Sequence, residues 1–305
     1  MAAPTSTLVF DTGFVPETGQ LVHVGTGVAR VTAPNAGPYT FTGTNTFLLG
    51  TQQLAVVDPG PDDAAHLAAL TAAIGGRKVE AIILTHTHRD HSGLARKLKA
   101  ATGAPLWFEG PHRLSRKARL FEFNGVAGSS DFGLVPDRLL ADGERVTVAG
   151  IVLEAVATPG HCRNHLAFGI AGTDTLLSGD HVMGWNSTLV SVPDGSMADY
   201  LQSLRKVMAL PYRRYLPAHG GAIADGPAYA MALLAHREAR NAQVVAAVKA
   251  GATRLGELRR IIYPGLKLQV VPAALMTLKA HVEFLEGTGA IRVSRGVLGT
   301  RFRPA

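Results

Sequence analysis

The chain has 305 residues, enough for one large domain and a small one. Its 47% hydrophobic and 17% charged content fits a folded globular protein and excludes a disordered or fibrous one. The single cysteine, Cys162, excludes an internal disulfide framework, and no run of about 18 apolar residues offers a membrane span.

Net charge is +7 and unevenly spread: residues 226–305 hold 12 Lys or Arg against 4 Asp or Glu, a net of +8 that leaves −1 for the first 225. A basic face of that kind serves solubility or an anionic partner such as nucleic acid. Met1–Phe10 has no basic stretch leading into an apolar core, so the expectation is a cytoplasmic protein without a signal peptide or membrane contact.

In chain order, residues 21–31 and 44–49 read as strands, and 53–57 as a strand ending in the turn Asp58-Pro59-Gly60. Residues 63–74 read as a helix stopped by Gly75-Gly76, and the apolar run 79–84 as a buried strand. A helix over 92–101 and a strand over 105–108 follow; 111–140 reads as a helix on the basic segment Arg113 to Arg119 and then a Gly/Ser-rich loop. Strands resume at 145–148, 151–156, 165–170 and 175–178, then a helix at 197–208 and a short strand at 214–216. Beyond about residue 226 the texture turns helical: 228–248, 253–262 with Thr253 as its N-cap, and 271–286, before a hairpin of 290–293 with 299–303. Three helices and a hairpin is the order of a winged-helix module, which divides the chain into 1–225 and 226–305.

The segment that carries chemistry is His86-Thr87-His88-Arg89-Asp90-His91, set between a buried strand and a helix. It packs four metal-capable side chains into six residues, and imidazole with carboxylate suits zinc, iron or manganese. His86 and His88 share a face of an extended start, while a turn brings Asp90 and His91 toward a second position. His161 in Thr158-Pro159-Gly160-His161, Asp180 in Ser178-Gly179-Asp180 and His219 in Pro217-Ala218-His219-Gly220 each follow a strand, where a rigid sheet can present convergent ligands. Singly, each is an ordinary turn or packing residue; together with the first cluster they form a set.

These segments resemble the metallo-β-lactamase superfamily signature, His-x-His-x-Asp-His followed by spaced His, Asp and His, over about residues 20–222. The resemblance implies an α/β fold, an αββα sandwich, here with a small C-terminal winged-helix-like domain. It implies two divalent metal ions, zinc by default, with iron and manganese as alternatives. His86, His88 and His161 would hold the first and Asp90, His91 and His219 the second, with Asp180 bridging and Asp58 supporting from behind. Gly43-Thr44-Asn45-Thr46-Phe47-Leu48-Leu49-Gly50 looks like the opening strand of the lactamase-like group with a C-terminal winged helix, of which a mitochondrial branch cleaves single-stranded RNA.

Water shared by two cations loses a proton readily, so a bridging hydroxide is the expected nucleophile, with Asp90 as the catalytic carboxylate able to hold its proton. His165 and His181 are candidates for supporting or proton-donating roles; for each, a packing histidine is the plainer alternative. Cys162 is expected to point away from the metals as a small buried residue. The expected activity is hydrolysis of RNA phosphodiesters, with nucleic acid contact through the basic module. A thioester or lactone hydrolase is the alternative, since Thr-Pro-Gly-His also occurs in glyoxalase-II-like enzymes. A β-lactamase and a non-catalytic winged-helix DNA binder come last.

Overall fold

The computed structural model describes residues 8–120, 122–296 and 299–305; the leader reading of Met1–Phe10 falls, up to residue 7, outside them. Two sheets face each other. The first runs β1 (Leu21–Gly25), β2 (Val28–Thr32), β3 (Asn45–Leu49), β4 (Gln53–Val57), β5 (Lys78–Ile83), β6 (Leu106–Phe108) and β7 (Arg138–Leu139), in that spatial order. The second holds β8 (Arg145–Val148), β9 (Ile151–Ala157), β10 (Leu166–Ile170), β11 (Thr175–Gly179) and β12 (Arg214–Pro217), in the order β12-β11-β10-β9-β8.

Alternation along each strand sorts side chains between two cores. In β4, Ala55 and Val57 face the second sheet and meet Phe168, Leu177 and Leu216, whereas Leu54 and Val56 face outward. There they pack on Leu70 and Ile74 of α1 (Ala64–Ile74) and Leu98 of α3 (Ala95–Thr102). The second sheet is covered in the same way by Tyr200, Leu204 and Val207 of α4 (Met197–Met208) and by Leu233 of α5 (Gly226–Lys249). The layers are therefore helix, sheet, sheet, helix, the αββα sandwich implied above.

After α5 come α6 (Leu255–Ile262), α7 (Val271–Gly287) and the antiparallel pair β13 (Ile291–Gly296) and β14 (Gly299–Pro304). These elements close a core of their own around Val244, Leu258, Leu278, Val282 and Phe302. The start of α5 and Ala280 of α7 also join the outer core of the second sheet, so the C-terminal elements are fastened to the sandwich. Among the described residues no helix is long and apolar enough to cross a membrane.

Several boundaries differ from the sequence reading. Residues 21–31 form a hairpin rather than one strand, because Gly27 takes a φ of 67° and turns the chain. The helix expected at 92–101 is split: a short turn, α2 (Arg89–Ser92), precedes α3. Between them Gly93 lies against the loop after Gly60; a Cβ there would stand 2.4 Å from the Asp62 nitrogen. The basic segment 113–119 is irregular: Arg113 pairs back to Glu109, while Arg116 and Arg119 share Glu122 nearby and reach across to Glu283 of α7. Thr253 precedes the N-cap of α6, which is Arg254, and both backbone amides donate to Glu257 Oε2.

Candidate metal centre

Every metal-capable side chain of interest stands at the C-terminal end of a strand. β5 leads into His86, His88, Asp90 and His91; β9 into His161; β11 into Asp180; β12 into His219. The two sheets are joined at this end. Asn45 at the head of β3 donates through Nδ2 to the Pro217 and Gly220 carbonyls at 3.0 and 2.9 Å, and its backbone amide donates to the Ala218 carbonyl at 2.7 Å. The loop that carries His219 is thus tied to the sheet that carries His86.

His86 Nε2 and His161 Nε2 stand 3.0 and 2.9 Å from His88 Nδ1. Across from them, Asp90 Oδ2 is 3.5 Å from His91 Nε2 and 3.4 Å from His219 Nε2. Asp180 lies between: its Oδ2 is 3.5 Å from His161 Nε2 and 3.6 Å from His91 Nε2, and its Oδ1 is 3.4 Å from His219 Nε2. Three overlapping ligand groups result, His86–His88–His161, His86–His91–Asp180 and Asp90–His91–His219.

The outer nitrogens of these rings are held from behind, which fixes which nitrogen faces inward. His91 Nδ1 donates to Asp58 Oδ2 at 3.0 Å, His161 Nδ1 to the Leu189 carbonyl at 2.7 Å and His219 Nδ1 to the Gly43 carbonyl at 3.2 Å. His88 Nε2 reaches Asp194 Oδ2 at 3.3 Å, and His86 Nδ1 lies 3.0 Å from Thr85 Oγ1. Asp58 occupies the left-handed region with φ of 51°, a conformation balanced by its bonds from Thr85 N, Thr85 Oγ1 and His91.

Asp194 is a support that the sequence did not disclose. Besides His88 it accepts from His112 Nε2 at 2.7 Å, and His112 in turn meets Thr87 Oγ1 at 2.9 Å. His165 is tied to Asp180: its Nε2 accepts from the Asp180 backbone amide at 3.1 Å and its Nδ1 contacts Thr158 Oγ1 at 2.7 Å. With Nε2 accepting, the ring's N–H sits on Nδ1 and is directed at Thr158 Oγ1. His181 stands apart. Its ring packs on Tyr200 at 5.1 Å, neither nitrogen has a hydrogen-bond partner among the described residues, and burial pulls its pKa down to about 3. Its ring therefore faces Tyr200, away from the clustered His and Asp side chains. Cys162 Sγ turns to Asn164 Oδ1 at 3.4 Å, and burial pushes its thiol well up.

The electrostatics fit a bound cation. Burial works to raise Asp180, but His219 and His91 outweigh it and hold the carboxyl well below its usual range; Asp90 is lowered in the same way, chiefly by His91. Burial works to lower His91 and His219, but the facing carboxylates hold His91 well above its usual range and His219 at about 9. His86 and His161 go the other way, pulled down by burial and then by neighbouring imidazoles, His161 to about 4. Positive charge is therefore demanded where His91 and His219 face Asp90 and Asp180. His91 Nε2, His219 Nε2 and Asp180 Oδ1 are buried there without a hydrogen-bond partner among the described residues. Metal ions held by these groups would supply that charge and satisfy those atoms.

The cluster lies at the floor of a cavity of about 770 Å³. One wall comes from the sandwich, including Tyr39, Trp185 and Leu189, and the roof from the C-terminal elements, including Leu266, Val270 and Met276. Arg213, Arg214 and the basic segment 113–119 do not line the cavity. Arg213 pairs with Asp225, Arg214 with the Val24 carbonyl, and Arg116 and Arg119 with Glu122 and Glu283. The cavity's own arginines are Arg89, Arg237 and Arg240.

A family profile described as "Metallo-beta-lactamase superfamily" matches residues 39–219, which contain all seven clustered His and Asp residues. Among curated proteins, the lactamase-like protein vrtG of Penicillium aethiopicum is 32% identical over 266 residues, 84% of this chain and 79% of its own length. Among solved structures, a beta-lactamase domain protein from Burkholderia ambifaria covers 100% of this chain and 99% of its own at a TM-score of 0.80 and 24% identity. A metallo-beta-lactamase family protein from Thermus thermophilus covers 93% of this chain and 100% of its own at a TM-score of 0.76 and 26% identity. Sandwich, strand-end ligands and matched profile agree: the chain belongs to the metallo-beta-lactamase superfamily.

Proposed function

We propose that the chain is a two-metal hydrolase of small acyl thioesters or esters whose acyl part is apolar. His86, His88 and His161 would hold one cation and Asp90, His91 and His219 the other, with Asp180 shared. Zinc is the default, and the same donors also suit iron and manganese. When bound, such cations supply Lewis acidity and bring the pKa of a held water toward about 7.

The observation that carries the reading is the roofed cavity. About 770 Å³ of largely apolar space ending on the ligand cluster suits a small molecule with an apolar body and one reactive carbonyl. The leaving group points the same way. A thiol has a pKa of about 8.5 and departs as thiolate without a proton donor, whereas an alkoxide needs one. Of the wall histidines that are not ligands, His236 is pulled to about 4 by burial and then by Arg237 and Arg240, so it is an uncharged imidazole at neutral pH and a poor general acid. The chain's residues otherwise orient: Asp58, Asp194, Leu189 and Gly43 hold the rings, and His165 holds the Asp180 backbone.

A second reading, cleavage of single-stranded RNA, is favoured by the +8 charge of residues 226–305. Single-stranded nucleic acid is bound in a basic groove that tracks phosphates. Only Arg237 and Arg240 of the 12 cations in that segment line the cavity, and the remaining ten lie off it. The test sets zinc- and manganese-loaded chain against acyl thioesters of N-acetylcysteamine and against a fluorophore-quencher single-stranded RNA, with Asp180→Ala alongside. The expected result is thioester turnover that falls at least about 100-fold in the variant, since loss of even a supporting residue costs 10–100-fold. RNA cleavage without thioester turnover would replace this reading with the second.

A further inference from the structure

The cavity carries positive charge that its own walls do not neutralise. Among the described residues, the only carboxylates lining it are Asp90 and Asp180, and both belong to the ligand cluster. Arg237 is 2% exposed, yet no carboxylate pairs with it among the described residues. Its Nη2 donates to the Thr188 carbonyl, its guanidinium lies 5.3 Å from the Tyr200 ring centroid, and its buried Nε has no partner. Arg240 likewise has no acid. It lies 4.3 Å over the Tyr263 ring, donates to Gln243 Oε1 at 2.8 Å, and leaves its buried Nε without a partner.

The two arginines stand three residues apart on α5, so they are neighbours on one helix face, where like charges repel. A buried guanidinium without a counter-charge is costly, and a second one beside it more so. His236 also lines the cavity beside them, and His281 lies within their field; burial, then Arg237 and Arg240, pull His281 well below its usual range. Aromatic faces and carbonyls hold both guanidinia in place without satisfying their charge, which leaves N–H donors for a ligand.

We propose that Arg237 and Arg240 form an anion subsite in the cavity roof, which takes a carboxylate or phosphate group carried by the substrate away from the bond that is cleaved. The shared chemistry is an oxyanion on an otherwise apolar body. The subsite rests on the reading of the cavity as a small-molecule acyl site, and it would give that site selectivity for anionic over neutral substrates. Thr188 links it to the metal cluster: the carbonyl that anchors Arg237 belongs to a residue whose hydroxyl donates to the Asp180 carbonyl at 2.6 Å.

The test is binding to the metal-loaded full chain, read by quenching of Trp185, with 4-phenylbutyrate, 3-phenylpropyl phosphate and the neutral 4-phenylbutyramide as probes. Charge-assisted hydrogen bonds of about 1.5–3 kcal/mol predict at least about tenfold tighter binding of one anion than of the amide. Whichever anion binds more tightly identifies the group. The preference should fall within about threefold in Arg240→Gln, which is half-buried, and in Arg237→Met, and persist in Arg260→Gln, an exposed control with the same charge change. Equal affinities for anion and amide in the unaltered chain, or a preference that survives in either cavity variant, overturns the subsite. Thioester turnover is read separately. Turnover without anion preference removes the subsite alone, and anion preference without turnover removes the acyl-hydrolase reading alone.

Discussion

Asp194 shows how the site is supported one residue at a time. Its carboxylate, with no measurable exposure, receives His88 and His112 from two directions; burial works to raise its pKa, but His112 and His88 outweigh it and keep it ionised. Asp194→Ala should therefore free the His88 ring and weaken metal binding by about 10–100-fold, measured by competition with a chelator. Unchanged affinity would mean that packing alone orients His88. The seven clustered residues were legible in the sequence because each follows a strand and four of them sit within six positions. Asp194 was not, because its partner His88 is 106 residues away and Pro193-Asp194-Gly195 reads as any turn. Adjacency in sequence does not place a side chain in the cluster either: His181 follows Asp180, yet its ring lies against Tyr200.

At the scale of elements, the joint between sandwich and roof is electrostatic on its outer side. Arg116 bridges Glu122 and Glu283 of α7 at 2.6 Å each, Arg119 reaches Glu283 at 2.7 Å, and Lys279 reaches Glu122 at 2.7 Å. Arg116 foremost holds Glu122 below its ordinary range. At Glu283 burial pulls upward, but Arg116 and Arg119 prevail and lower it. Carboxylates lowered in the folded state contribute stability that is present above their unfolded value of about 4.3 and is lost as pH falls through the lowered values. Glu283→Gln should thus lower Tm at pH 7 by about 2–4 °C, with the difference from wild type shrinking as scans move below about pH 4. A difference that is constant from pH 7 to 3 would assign the loss to packing. Within 113–119, Arg116 and Arg119 share Glu283 of α7, a partner that no local sequence pattern reveals.

Across the whole molecule, the sandwich was readable because its strands are short, apolar and punctuated by turns, and because two-sided burial gives continuous apolar runs such as 79–84. The order of three helices and a hairpin was readable too, but not what those helices do. α7 is apolar on more than one face: Leu278, Val282 and Leu285 fill the C-terminal core, while Ala273, Ala274 and Met276 roof the cavity. Composition gave this segment a charge and hence a nucleic-acid expectation; only the packing shows that its apolar side lines the same cavity as the His and Asp cluster and that two of its arginines turn inward. The central claim, hydrolysis at a site that needs two cations, is tested most directly by titrating metal-free chain with zinc while following thioester turnover. The account predicts that turnover rises with the second equivalent and levels at about two per chain, as expected for paired ligand sets. Turnover complete at one equivalent, or none at saturation with two bound, would contradict it.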